Sequence, residues 1–106
     1  MHDIKWSEAE KQIARRVFNA ALQAELAEIM SNFKVQAATI ATPDEMWAIQ
    51  DFLFRKRREI DEKYDYRYSQ LLLVFARLVR EKRVREEELQ GLSAEKLSYI
   101  NRILSL

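Results

Sequence analysis

Residues 7–38 read SEAEKQIARRVFNAALQAELAEIMSNFKVQAA, with neither glycine nor proline. Ser7 to Glu10 fits a capping box, in which the Ser7 hydroxyl accepts from the Glu10 amide while the Glu10 carboxylate reaches back. Apolar residues then recur at Ile13, Val17, Ala20, Ala24 and Ala27, and again at Phe18, Leu22, Leu26, Ile29 and Phe33. Both series step by three or four, which is the helix period. The spacing predicts one helix from about Ser7 to about Ala38, roughly 45–50 Å long. A compact chain of this length has a radius of gyration of only about 13 Å. One helix therefore outreaches the body a monomer can fold around it, and its two apolar stripes call for a cover. The expected cover is a second copy of the chain, in an antiparallel or crossed dimer. The competing possibility is a break near Ser31-Asn32 and a monomeric bundle.

Working outward, the β-branched segment Thr39 to Thr42 ends this helix, and Thr42-Pro43-Asp44-Glu45 starts the next. Thr42 caps, Pro43 suits the first helical position, Glu45 completes a second capping box, and the two carboxylates complement the helix dipole. Met46, Ile49, Leu53, Ile60 and Tyr64 share one face of this second helix, and Trp47, Asp51, Phe54 and Arg58 another. Near Asp65-Tyr66 the pattern changes. Leu71 to Ala76 is apolar all round, so a third helix there should be buried on most sides. Gly91 marks a turn, and Ser93-Ala94-Glu95-Lys96 opens a short last helix whose apolar face is Leu97, Ile100, Ile103 and Leu104. The expected fold is all-α and a single domain over residues 1–106. Residues 1–64 are expected to form a long-helix dimerisation body, and 65–106 a small helical head.

Composition agrees. One glycine and one proline in 106 residues cannot supply the turns an all-β domain needs. Apolar residues at 48% and charged residues at 33% describe a folded chain rather than a disordered one. The longest apolar run, Leu71 to Ala76, is far short of the ~20 residues of a membrane-spanning helix. The N-terminus has no signal-peptide pattern. The chain has no cysteine, which excludes disulfides and thiolate metal sites and fits the cytoplasm. A net charge of +1 does not favour a polyanion binder.

Catalytic chemistry finds no support. His2 is the only histidine, no serine has a glycine elbow, and one glycine cannot build a phosphate-binding loop. No catalytic, cofactor or metal residue is expected, and Glu86-Glu87-Glu88 is read as a solvated acidic run. Arg55-Lys56-Arg57-Arg58 and the run from Arg80 to Arg85 are basic but interleaved with acid. The i,i+4 pairs Asp51 with Arg55 and Arg58 with Glu62 fit surface ion pairs better than nucleic-acid contacts. Trp47, Asp51 and the guanidinium cluster form a strip of the residue types that anchor protein interfaces. Periodicity alone leaves open whether Trp47 faces a partner, the core or a dimer seam. Trp6, ahead of the first cap, is expected to pack as an N-terminal staple.

The stretch from Trp47 to Asp65, WAIQDFLFRKRREIDEKYD, resembles the fluorescence recovery protein family of cyanobacteria, whose signature runs W-x-x-x-D-F-L-x-x-K-R-x-E-I-D-x-K-Y-D. The likeness continues through Val74-Phe75-Ala76-Arg77-Leu78 and Glu86-Glu87-Glu88-Leu89. It is weaker at Trp6-Ser7, Ala9-Glu10 and Glu25-Leu26. The resemblance implies an all-helical homodimer without a cofactor. It implies a partner, the light-activated orange carotenoid protein, bound chiefly through that protein's C-terminal domain. Binding would speed its return from the red to the orange form, detach it from the phycobilisome and restore antenna fluorescence. It also implies a location in the cytoplasm, at the cytoplasmic face of thylakoids. Matched residue by residue, Trp47, Asp51 and Arg57 are the functional positions. Phe54 lies in the same strip, and Asp61, Lys63 and Tyr64 are expected to be structural. Three positions depart from the family pattern: Gln50 replaces a histidine, Leu73 an aromatic residue and Tyr99 a basic one. These complete the expected partner-binding set. They favour a second possibility, a homologue with the same fold and another partner.

The helix-length reading is checked by multi-angle light scattering at micromolar concentration, where the expected mass is twice the 12.7 kDa of the chain. A monomer mass would overturn it.

Overall fold

The computed structural model describes residues 5–106, so His2 and the rest of the Met1–Ile4 segment lie outside the described residues. Four α-helices follow one another: α1 Glu8–Ala38, α2 Pro43–Lys63, α3 Leu71–Arg80 and α4 Ala94–Leu104. A short 3₁₀ turn, Glu86–Leu89, precedes α4. No strand forms among the described residues. The helix α1 runs unbroken through Ser31-Asn32, as the spacing predicts, and the competing break there does not occur.

The predicted caps are present. The Ser7 amide donates to Glu10 Oε1 at 2.9 Å, and the Glu10 amide donates to Ser7 Oγ at 3.1 Å. Ser93 Oγ accepts from the Lys96 amide at 3.2 Å to open α4. The helix α3 ends in a Schellman arrangement: the Arg83 amide donates to the Leu78 carbonyl and the Lys82 amide to the Val79 carbonyl. Lys82 adopts φ 62° there, a left-handed position where glycine is the easier residue. Gly91 is the reverse case. Its φ is 106°, and a Cβ at this position would stand 2.5 Å from the Ile13 side chain.

The chain forms two units. The described residues through Ala21 join Tyr64–Leu106, and Leu22–Lys63 form the other. The expected body of residues 1–64 is therefore not one unit: the described residues through Ala21 group with the expected head, and only Leu22–Lys63 form a separate unit. The physical reason lies in burial. Ala14, Val17, Phe18 and Ala21 are buried, and no later residue of α1 is. With them in the first unit go Leu71, Leu72, Val74, Phe75, Ala76 and Leu78 of α3, and Val84, Leu89, Leu92 and Ile100 beyond it. Phe18 receives Tyr64 and Tyr66 edge-on, with ring centroids 5.4 and 4.8 Å away. The acidic run that looked merely solvated forms the 3₁₀ turn and carries Leu89 into this core.

A buried ion pair ties the first unit together. The Lys96 ammonium lies 3.2 Å from the Glu10 carboxylate and donates to the Lys5 carbonyl at 2.6 Å. Glu10 Oε2 also accepts from the Ser93 amide at 2.8 Å. Trp6 is half-buried under this group, its ring 5.0 Å from the Lys96 ammonium and 5.5 Å from the Tyr68 ring. Those contacts take the place of the simple staple expected from sequence. Burial by itself opposes ionisation of Glu10. The amides of Ser7 and Ser93 and the Lys96 ammonium outweigh it, so its pKa lies below the ordinary glutamate value.

Glu10→Ala is expected to destabilise the fold by about 3 kcal/mol, since it strands a buried ammonium; urea unfolding measures this. Because the folded pKa is depressed, the Glu10 contribution is present above the unfolded pKa and lost as pH falls through the folded one. The gap between wild type and variant should therefore close on acidification below the ordinary glutamate range.

Candidate partner-binding surface

The second unit is a hairpin of the later part of α1 and all of α2, joined by residues 39–42. Thr42 caps α2 as the sequence indicates: its Oγ1 accepts from the Glu45 amide at 3.2 Å and donates to Glu45 Oε1 at 3.0 Å. From there α2 presents two faces. Ile49, Leu53, Lys56, Ile60 and Lys63 follow steps of four and three, and each is buried or half-buried. At the end of this seam, the Lys63 ammonium lies 2.8 Å from the Glu25 carboxylate of α1, with side chains only 6% and 12% exposed. The signature lysine is thus structural, as expected. Tyr64 packs on Phe18, and Asp61 is an exposed partner of Arg57 at 3.9 Å.

The other face holds Trp47, Gln50, Asp51, Phe54 and Arg57, spaced by three, one, three and three residues, which keeps them on one stripe. Trp47 is 56% exposed and Phe54 65%. Gln50, Asp51 and Arg57 are also exposed. The Asp51–Arg55 ion pair expected from spacing is not formed, so the Asp51 carboxylate has no ion-pair partner among the described residues. A flexible arginine in water gains too little from an exposed pair to be held in place. Arg58 meets Glu62 at a loose 3.9 Å. Two large rings, a carboxylate and a guanidinium thus stand together on a rigid helix, a composition suited to an interface.

The remaining expected residues lie in the first unit. Leu73 is the exposed residue of an otherwise buried turn of α3, at 44%. Tyr99 is half-buried on α4, with the Arg102 guanidinium 5.8 Å from its ring. Among the described residues, no cluster of histidine, aspartate or glutamate is arranged to hold a metal, and no helix is long and apolar enough to cross a membrane. Sequence reading missed further exposed apolar groups of the hairpin, Met30, Val35 and Ile40, and Met46, read as sharing the Ile49 face, is 45% exposed.

Residues 6–104 match the family model described as photoprotection regulator fluorescence recovery protein. This chain belongs to the fluorescence recovery protein family. It is 44% identical over 101 residues to the fluorescence recovery protein of Synechocystis sp. PCC 6803, covering 95% of this chain and 93% of that one. Its fold is similar to the solved structure of the Synechocystis protein, with TM-score 0.89 and 43% identity over 96% of this chain and 100% of that one. It is also similar to the Fremyella diplosiphon fluorescence recovery protein, with TM-score 0.87 and 37% identity over 95% and 98%. The family places the chain among photoprotection regulators, which agrees with the absence of catalytic signals in its sequence.

The two faces of α2 predict opposite responses to truncation. Ile60→Ala should lower the unfolding free energy by about 2–3 kcal/mol, whereas Phe54→Ala should change it by less than about 0.5 kcal/mol. Paired urea titrations of the two variants measure the contrast.

Proposed function

We propose that this chain is a non-catalytic, homodimeric, cytoplasmic regulator that binds photoactivated orange carotenoid protein. It would accelerate the red-to-orange reversion and so restore phycobilisome fluorescence. The observation that carries this reading is the exposed stripe Trp47–Asp51–Phe54–Arg57 on a chain of this family. Each residue the resemblance marked as functional stands on that stripe, free of the core. The mechanism is differential binding. A surface that holds the structure along the return path more tightly than the red form lowers the barrier without making or breaking a bond. Each tenfold acceleration requires about 1.4 kcal/mol of such preference.

Dimerisation is supported by the apolar surface of the hairpin unit. Met30, Phe33, Val35, Ile40, Met46 and Trp47 are all more than a third exposed, while Ile49 and Ile60 are the buried hydrophobic residues of α2. An uncovered apolar surface of this kind marks an association site. Leu22–Lys63 lies within the 1–64 segment that the sequence reading assigned to a dimerisation body.

A second reading rests on Gln50, Leu73 and Tyr99, which depart from the family pattern at partner-facing positions. It keeps the dimeric helical fold and assigns another protein as the partner. A nucleic-acid role is disfavoured because Lys56, Arg57 and Arg58 are each flanked by carboxylates at ion-pair range.

The deciding experiment follows the dark reversion of photoactivated orange carotenoid protein by absorbance, with and without an equimolar amount of this protein. Clear acceleration is expected, and Trp47→Ala and Asp51→Ala should each reduce it. Light scattering on the same samples separates a lost contact from a loosened dimer. No acceleration by a confirmed dimer would overturn the carotenoid-protein reading in favour of the second one.

A further inference from the structure

Outside the stripe on α2, the first unit carries a second arrangement suited to recognition. The Arg15 guanidinium lies 3.6 Å from the centroid of the Tyr66 ring. Lys11, one helical turn earlier on the same face of α1, places its ammonium 5.6 Å from the Tyr68 ring. The two tyrosines pack edge-on at 5.8 Å, and Phe18 backs Tyr66 at 4.8 Å. Two cations thus sit on an aromatic shelf whose inner side belongs to the core. Arg15 is exposed, and Tyr68 is 40% exposed.

Contact with the ring restrains the Arg15 guanidinium, and the exposed side chain leaves its N–H donors open to solvent. No carboxylate among the described residues takes them. Nearby acids are either committed elsewhere or weakly held. Asp65 chelates Arg67 at 2.6–3.0 Å. Glu8 meets Lys11 at 3.4 Å with its side chain 87% exposed, a pair that exchanges readily. Arg15 is therefore a pre-ordered, unfilled fork for a planar anion, with a second cation one turn away.

We propose that this shelf, Arg15 on Tyr66 with Lys11 on Tyr68, binds an acidic segment of a partner protein that presents two carboxylates about one helical turn apart. Bidentate recognition at Arg15 matches a carboxylate, and the i,i+4 spacing of the cations matches an acidic pair on a helix. A continuous phosphate backbone fits less well, because the shelf offers two cations one turn apart rather than an extended basic track. The proposal rests on the reading that the chain acts by binding a protein, but not on which protein that is.

The test is an NMR titration of the full ¹⁵N-labelled chain at low ionic strength with a capped, alanine-rich helical peptide bearing glutamates at i and i+4. The same peptide with glutamines and a short single-stranded DNA oligonucleotide serve as comparisons. Saturable shifts are expected at the Arg15 side-chain N–H and at Tyr66 and Tyr68, with the glutamate peptide alone. Arg15→Ala should weaken binding about tenfold, Arg15→Lys should weaken it less, and Arg16→Ala, which removes the same charge from the next position, should leave it unchanged. Circular dichroism of each variant checks folding. The proposal is overturned by shifts that are absent or centred on Arg55–Arg58, by equal losses in Arg15→Ala and Arg16→Ala, or by equal binding of the oligonucleotide at Arg15. Accelerated carotenoid-protein reversion with no response at Arg15 would overturn this surface and leave the regulatory reading standing.

Discussion

The carboxylate of Glu10 is where local and tertiary structure meet. It closes the capping box of α1 by accepting from Ser7, and the same group accepts from the Ser93 amide and faces the Lys96 ammonium at the opening of α4. A cap alone is worth about 1 kcal/mol and acts within one turn. Here the cap joins segments more than eighty residues apart in sequence. Lys96 in turn satisfies the Lys5 carbonyl and stands over Trp6. A buried pair of this kind adds little net stability over apolar packing but is costly to break. Its consequence is register: α1 and α4 start from one fixed point, and the core residues Ala14, Val17 and Phe18 follow at helical spacing from it.

Beyond Ala21 the same helix enters a different regime. Its first part, through Ala21, belongs to the unit whose core includes α3. Its later turns carry Met30, Phe33 and Val35 outward, and α2 answers with few buried residues of its own. The Lys63–Glu25 pair closes one end of the hairpin, and Ile49 and Ile60 supply its modest seam. One unit is thus complete in itself, while the other exposes the apolar surface that folding normally hides. That imbalance is the physical basis for expecting association through the hairpin.

Much of the fold was legible because helix boundaries depend on local chemistry. Ser7, Thr42 and Ser93 each start a helix for reasons contained within four residues, and Gly91 turns where only glycine fits comfortably. What escaped depends on partners distant in sequence. Nothing near Glu10 announces Ser93 or Lys96, and nothing near residue 21 announces that α1 changes unit there. The 3₁₀ turn at Glu86–Leu89 was hidden because three consecutive carboxylates read as solvent-facing, while the residue that matters for packing is Leu89. The Asp51–Arg55 pair failed for a different reason: spacing permits an exposed ion pair but does not enforce it. For the candidate site, helical arithmetic grouped Trp47, Asp51 and Phe54 with Arg58 on one face, whereas Arg57 entered only through the family resemblance. It could not place Leu73 and Tyr99, which belong to the other unit, or reveal the Arg15–Tyr66 stack between residues fifty-one apart.

The stripe on α2 also suits a regulator that performs no bond chemistry. A catalyst needs groups converging on a point, usually in a cleft. A protein that favours one conformation of a partner needs a rigid face whose fit differs between the partner's states. Trp47 and Phe54 are seven residues apart, roughly 10 Å along the helix, with Asp51 between them and Arg57 beyond. Two apolar anchors would set the footprint of a bound partner, and the charges would fix its direction. Gln50 sits within that footprint where the family pattern has histidine. An imidazole changes charge near neutral pH, whereas a carboxamide stays neutral and offers both donors and an acceptor. A hydrogen bond made to a partner through Gln50 would therefore be neutral, and its strength would not follow pH.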